Sequence, residues 1–334
     1  MSKNILIKTP LRISLLGGGT DFESFYKQKI GNVISFTIDK YIYIFLKELK
    51  NYFDETYRLN YFITERVNTI EEITNDITRE SLIIHKNKKK LYISTIADIP
   101  QSSGLGSSSS FAVGLNLALR ILEKKSISKE NIVNDAIIIE LKKLRKPIGI
   151  QDQVATGYGG LNYIKFSSEY KNNFQVYPIK SKEMSKKLSE NMLLVWTGKV
   201  RQADVILKDQ ESKKKQNTHQ LEKLADITLK YYNELRHSDF EIDLKILANL
   251  LNESWNIKKK LSNLISNKKF DDIYNLALKN GALGGKLLGA GGGGFFLFIV
   301  EKKEKEKFKQ KMQGFIIEEF SIEFNGATAV HQNF

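Results

Sequence analysis

The chain has 334 residues, 41% hydrophobic and 10% aromatic, enough for about two domains with real cores. It contains no cysteine, which excludes a disulfide framework, a thiolate metal site and a Cys nucleophile. The formal charge of +14 rests on 52 basic residues of which only 8 are Arg, and the Lys runs 88–90, 213–215 and 258–260 read as solvated surface, with nucleic acid, an acidic lipid or a phosphorylated substrate as the alternatives.

In chain order, 5–8 and 13–16 read as strands interrupted by Pro10, and 21–28 as a helix capped by Asp21. Segments 41–49 and 91–97 carry the β-branched and aromatic residues of strands, while 111–122 and 132–144 have apolar residues at helical spacing. Strands are expected at 161–166 and 174–179, followed by long Lys-rich amphipathic helices over 203–236, 242–265 and 270–280, and a last strand at 295–300. Mixed strands and helices in both halves indicate an α+β fold, with domains 1–182 and 183–334. The longest apolar run, 295–300, is far shorter than the ~18 residues that span a bilayer. Residues 1–12 lack the apolar core of a signal peptide, so a soluble, cytoplasmic protein without a membrane partner is expected.

Three glycine-rich segments carry the chemistry. The first, 11–21, ends a strand with Gly17, Gly18 and Gly19 and continues into Thr20 and Asp21. Bare backbone there allows close approach of a ligand, and Asp21 offers a carboxylate for sugar hydroxyls; the plainer alternative is a tight turn with Asp21 as helix cap. The second, 98–110, contains Pro100, Ser103, Gly104, Leu105, Gly106, Ser107, Ser108 and Ser109 between a strand and a helix, the setting of an anion nest at a helix N-terminus. It is neither a Walker A loop, lacking Gly-Lys-Ser/Thr, nor a dinucleotide fingerprint, because Ser109 stands at the third glycine position. The third, 284–294, matches G-x-G-x-x-G at Gly289, Gly291 and Gly294, but a strand follows the glycines instead of preceding them.

Two acids add to these. Glu140 interrupts an apolar helical stretch and must be paired, metal-bound or at a domain edge; an ion pair with Lys143 is the plain alternative. Asp152 follows Pro147 in a loop, where it serves either catalysis or a turn. The four histidines have no metal-ligand spacing, and the aromatics at 52, 53, 57, 61 and 62 either flank a base or fill a core.

Taken together, in this order, the three segments resemble the GHMP small-molecule kinases. Residues 9–21 resemble the family's first motif, 100–110 its phosphate loop and 286–294 its C-terminal glycine loop. The Gly-Gly-Gly-Thr-Asp form of the first motif, and the segment 197–201, are similar to the branch that phosphorylates D-glycero-D-manno-heptose 7-phosphate at its anomeric hydroxyl.

The resemblance implies the two-domain GHMP fold: an N-terminal ribosomal-protein-S5-like mixed sheet, a C-terminal antiparallel sheet and a site between them. It implies ATP and Mg²⁺ as cofactors, with the phosphate loop from Pro100 through Ser103–Ser109 around the nucleotide and Ser108 with Glu140 on the metal. Asp152 matches the general base and Arg12 the basic residue beside it. Gly18, Gly19, Thr20, Asp21, Lys40, Arg201, Gly291 and Gly292 are the expected sugar-phosphate contacts, and Lys286 is a further cation near them. Gly18-Gly19 replaces the Glu-His of galactokinases, and Leu287-Leu288 stands where a small residue or Thr is frequent. The implied partners are a sugar phosphate and ATP, with no nucleic acid, in a monomer or homodimer. The alternatives are a fucokinase- or galactokinase-like enzyme, or a catalytically silent sugar- or nucleotide-binding protein.

Overall fold

The computed structural model describes residues 4–200 and 203–333. The first strand, β1 (Asn4–Leu16), alternates buried and half-buried positions to Lys8 and is buried throughout from Thr9 onward. After α1 (Glu23–Tyr26), β2 (Gly31–Glu48) runs antiparallel to it, followed by β3 (Tyr57–Asn60), β4 (Thr64–Val67), α2 (Asp76–Ile84) and β5 (Leu91–Ala97). The phosphate-loop helix α3 (Ser107–Leu122) leads to α4 (Lys129–Ile137), a π-helical turn (Ile138–Lys143), α5 (Gln151–Tyr158), β6 (Leu161–Phe166) and β7 (Phe174–Pro178).

The second half opens with α6 (Lys182–Glu190) and β8 (Met192–Trp196). Four helices follow: α7 (Ala203–Ser212), α8 (Lys214–His237), α9 (Leu244–Lys259) and α10 (Lys268–Lys279). The chain ends with β9 (Gly284–Leu287), β10 (Phe295–Ile299), α11 (Lys305–Lys311), β11 (Ile317–Glu318) and β12 (Thr328–Asn333).

The strands form two sheets. The first has eight strands in the order β12-β1-β2-β5-β3-β4, with β6 on the early half of β2 and β7 outside β6. Among the described residues only the β3–β5 pairing in it is parallel, so the sheet is mixed. The second has four antiparallel strands, β11-β8-β10-β9. The final strand pairs with β1 in the first sheet, so a single cut at residue 182 does not divide the strands between the sheets. Helices α3, α5, α8 and α9 all pack against β1, which explains why its alternation disappears. Tyr163 of β6 stacks on Tyr232 of α8 with ring centroids 3.7 Å apart, fastening the second-half helices onto the first sheet. A separate aromatic core around Trp255, Phe296, Phe298 and Phe308 stabilises the second sheet.

Several local expectations are corrected. Pro10 does not break β1, because β12 pairs only as far as Lys8 and the register shifts immediately after Pro10, so no ladder bond needs its missing N–H. The helix expected over 21–28 shrinks to α1, whose capping position is Phe22 without a side-chain cap, because the Asp21 carboxylate accepts from Gly19 and Gln151 instead. The 132–144 helix widens into a π turn at Glu140, where Leu144 N–H donates to Ile139 O at 2.9 Å. The 203–236 helix is interrupted at Lys213.

The two sheets meet at the glycine loop before β10. Phe295 N–H donates to Ser103 O at 3.0 Å, and Thr197 N–H to Gly294 O at 3.0 Å. Gly294 has φ +92° and its missing Cβ would lie 2.1 Å from Ser103 O. Gly294→Ala is therefore expected to destabilise the protein by about 1–3 kcal/mol or more, read as a lower urea midpoint.

Candidate active site

The phosphate loop reaches α3 through Gly104 (φ +95°) and Gly106 (φ +76°), conformations that suit glycine. Gly106 occupies the N-cap position and no side chain caps the helix. The first helical bond is Ser110 N–H to Gly106 O at 2.9 Å, so the amides of Ser107, Ser108 and Ser109 point out of the helix without a helical acceptor. Gly106, Ser107, Ser108 and Ser109 line a cleft of about 350 Å³, large enough for a small-molecule ligand.

Arg12 on β1 faces this helix end and is 2% exposed. Its Nε and Nη2 donate to the two oxygens of Asp152 at 2.7 and 2.6 Å, and its Nη1 donates to Gly104 O at 2.6 Å. Asp152 enters from the first turn of α5. The neighbouring Gln151 accepts from Ser14 Oγ at 2.7 Å and donates its Nε2 to Asp21 Oδ1 at 2.9 Å, while its N–H donates to Asp21 Oδ2 at 3.1 Å. Asp21 is 1% exposed, and burial pushes its carboxyl from 3.8 up to about 6, against the Gln151 backbone hydrogen bond and with the adjacent Asp152 charge raising it further.

Glu140 is fully buried, and that burial pushes its carboxyl up against the opposing pull of Lys146, Ser108, Ser109 and Gln153. Its oxygens accept from Ser108 Oγ at 2.7 Å, Ser109 Oγ at 2.8 Å and Gln153 Nε2 at 2.6 Å. Gln153 Oε1 beside it is buried without a partner. A carboxylate, a hydroxyl and an orphaned amide oxygen are hard oxygen donors and fit Mg²⁺. Among the described residues no group of three or more acids or histidines could hold a metal by itself, so the remaining ligands would be phosphate and water oxygens.

Opposite the loop, Lys286 is buried and donates its Nζ to Ser14 O at 3.0 Å and Leu15 O at 3.1 Å. Burial first, then the Arg12 charge, lowers its ammonium to about 7. Tyr61, Ile77, Thr95, Ala97 and Phe111 also line the cleft. Gly18, Gly19, Asp21 and the α7 residues Asp204 and Gln210 line it as well.

Other expected contacts lie elsewhere. Lys40 pairs with Glu318 at 3.2 Å and does not line the cleft. Thr20 is buried, its hydroxyl donating to Gly17 O and Asn32 O, so it shapes the turn. Gly291 and Gly292 pack against Ile265 and Ile206. Pro100 is exposed, while Ser103, Gly104 and Leu105 support the loop from below. Arg201 lies outside the described residues. Ser14, Lys146, Gln151 and Gln153 are site residues that carried no sequence signal, since each acts through a partner distant in the chain.

Residues 68–160 match the GHMP kinases N terminal domain and residues 235–317 the GHMP kinases C terminal domain. The D-glycero-alpha-D-manno-heptose 7-phosphate kinase of Campylobacter jejuni is 31% identical over 86% of this chain and 87% of its own. The chain belongs to the GHMP kinases. The bifunctional fucokinase/GDP-fucose pyrophosphorylase of Arabidopsis thaliana is 30% identical over 67% of this chain and 21% of its own. The same GHMP fold is seen in the crystal structure of a D-glycero-D-manno-heptose 1-phosphate kinase from Bacteroides thetaiotaomicron, with TM-score 0.77 at 22% identity over 99% of both chains. The family fixes the reaction class as ATP-dependent phosphoryl transfer. Among the described residues no helix is long and apolar enough to cross a membrane.

Asp21 gives the site a pH signature. Its folded carboxyl titrates near 6 and its ordinary value is 3.8, so the folded state holds the extra proton in between and this group's stabilisation fades as pH rises through that window. The Tm of Asp21→Asn minus that of the parent should therefore rise between about pH 4 and pH 7, by the equivalent of about 3 kcal/mol at most. Melting curves across that range check it.

Proposed function

We propose that this GHMP kinase transfers the terminal phosphoryl group of ATP to the anomeric hydroxyl of a sugar phosphate. The acceptor is D-glycero-D-manno-heptose 7-phosphate, and the 1,7-bisphosphate feeds nucleotide-heptose and surface-glycan synthesis in the cytoplasm. The observation that carries this reading is the Arg12–Asp152 pair, held at 2.6–2.7 Å directly across from the uncapped N-terminus of α3. Support for the sugar comes from the 31% identity to a heptose 7-phosphate kinase and from the bare backbone of Gly18 and Gly19 at the acceptor end.

Phosphoryl transfer needs positioning and charge neutralisation more than covalent help. The outward amides of Ser107–Ser109 and the α3 dipole receive the nucleotide phosphates. Each Asp152 oxygen gives one lone pair to Arg12 and keeps another for the acceptor hydroxyl, whose proton it orients or takes. Arg12 presents its charge beside the transferring group. Asp21, Gln151 and Ser14 form a hydrogen-bonded wall that holds sugar hydroxyls. Ser108 and Glu140 would hold Mg²⁺, which neutralises phosphate charge when bound. The domains divide near residue 182, with β12 returned to the first unit.

A fucokinase- or galactokinase-like acceptor is the second reading, favoured by the fucokinase match. Phosphorus NMR of products from a panel of heptose 7-phosphate, fucose, galactose and mannose decides between them. A new anomeric phosphate signal with heptose 7-phosphate alone is expected, and faster turnover of a free sugar would overturn the assignment. Asp152→Asn should fold and bind ATP yet lose turnover by about 10²–10⁴-fold, checked by pairing that assay with nucleotide calorimetry.

A further inference from the structure

Lys146 belongs to none of the three glycine-rich segments. It follows the π-helical turn, and its N–H donates to Glu140 O at 2.9 Å. Arg145 before it has φ +49°, and Pro147 after it restricts its backbone further. These constraints hold the chain against the end of the turn and send the side chain into the cleft. The ammonium lies 3.4 Å from Ser108 Oγ, 3.8 Å from Glu140 Oε1 and 3.8 Å from Asp76 Oδ2.

The other groups on the buried Glu140 side chain are neutral donors, the Ser108 and Ser109 hydroxyls and the Gln153 amide. Among the described residues Lys146 is the cation at ion-pair distance from this carboxylate. Yet Ser108 and Glu140 are also the groups suited to a divalent cation. An ammonium and a metal ion sharing those oxygens repel each other strongly at such separations. The Lys stem is long and flexible, and the ammonium can move to a new partner. Asp76 is half-exposed and offers one well-hydrated charge, whereas a polyphosphate over the α3 N-terminus offers several.

We infer that Lys146 is an exchanging counter-ion. It neutralises Glu140 in the nucleotide-free protein and moves onto the nucleotide phosphates when a divalent cation takes over Glu140 and Ser108. The inference rests on the kinase reading and deepens it. It gives the free enzyme a way to tolerate a buried carboxylate without metal, and it couples metal entry to nucleotide binding.

Two titrations test it. With Mg²⁺ present, Lys146→Met is expected to bind ADP about tenfold more weakly than the parent by calorimetry, with Lys146→Arg recovering most of the loss. Without nucleotide, Lys146→Met is expected to bind Mn²⁺ more tightly than the parent by EPR, because the competing ammonium is gone. An unchanged affinity in either titration overturns the exchange. If Lys146→Met does not fold, the same titrations on Lys146→Gln decide. A parent protein that binds no ADP with or without metal overturns the kinase reading, and the inference with it.

Discussion

The guanidinium of Arg12 is almost fully buried and spends its directed bonds on two elements, Asp152 of α5 and the Gly104 carbonyl of the phosphate loop. Its backbone N–H also donates to Leu105 O. A buried arginine without such partners would cost several kcal/mol, so the pairing specifies where these three pieces of chain sit relative to one another. The charge of Arg12 also acts on the groups around it, beside the larger effect of their own burial. Asp152 receives the compensating charge, while the carboxyl of Asp21 beside it rises to about 6 through its own burial first and the Asp152 charge second. The ammonium of Lys286 is pushed the opposite way, by burial first and by the Arg12 charge second.

Docking of the second sheet completes the arrangement. Gly294 and Phe295 seat on Ser103, and the ammonium of Lys286 bonds to the two carbonyls at the end of β1. The phosphate loop is thus clamped from β1 on one side and from the glycine loop on the other. This explains why three glycine-rich segments far apart in the chain act together: each removes side chains where one backbone must lie against another or against a ligand.

That dependence also marks what the sequence could reveal. Backbone requirements leave compositional traces, so the loop at 100–110, the glycines at 17–19 and the acids Glu140 and Asp152 were legible, as were the strand at 91–97 and the helix at 111–122. Choices made by tertiary partners leave none. Lys40 resembles any other lysine until Glu318 is brought beside it from β11. The early half of β2, with its Gly and Asn, becomes a strand only because β1 and β6 flank it. Gln151 sits beside Asp152 in sequence, but its role depends on Ser14 and Asp21, which arrive from β1 and the turn after it.

The overall charge of +14 does not concentrate in the cleft. Among the described residues, the cleft is lined by the acids Asp21, Asp76, Glu140, Asp152 and Asp204 against the basic Arg12, Lys146, Lys258 and Lys286. Fixed side-chain charge therefore gives little net attraction for a polyphosphate. The amides at the α3 N-terminus supply part of the deficit as oriented partial charges, at no cost in lysine desolvation. On the proposed reading the remainder would arrive with the nucleotide as a divalent cation, for which Glu140 is already buried and hydrogen-bonded. On that reading a cleft with this charge balance would favour the metal-bound nucleotide over a free polyanion.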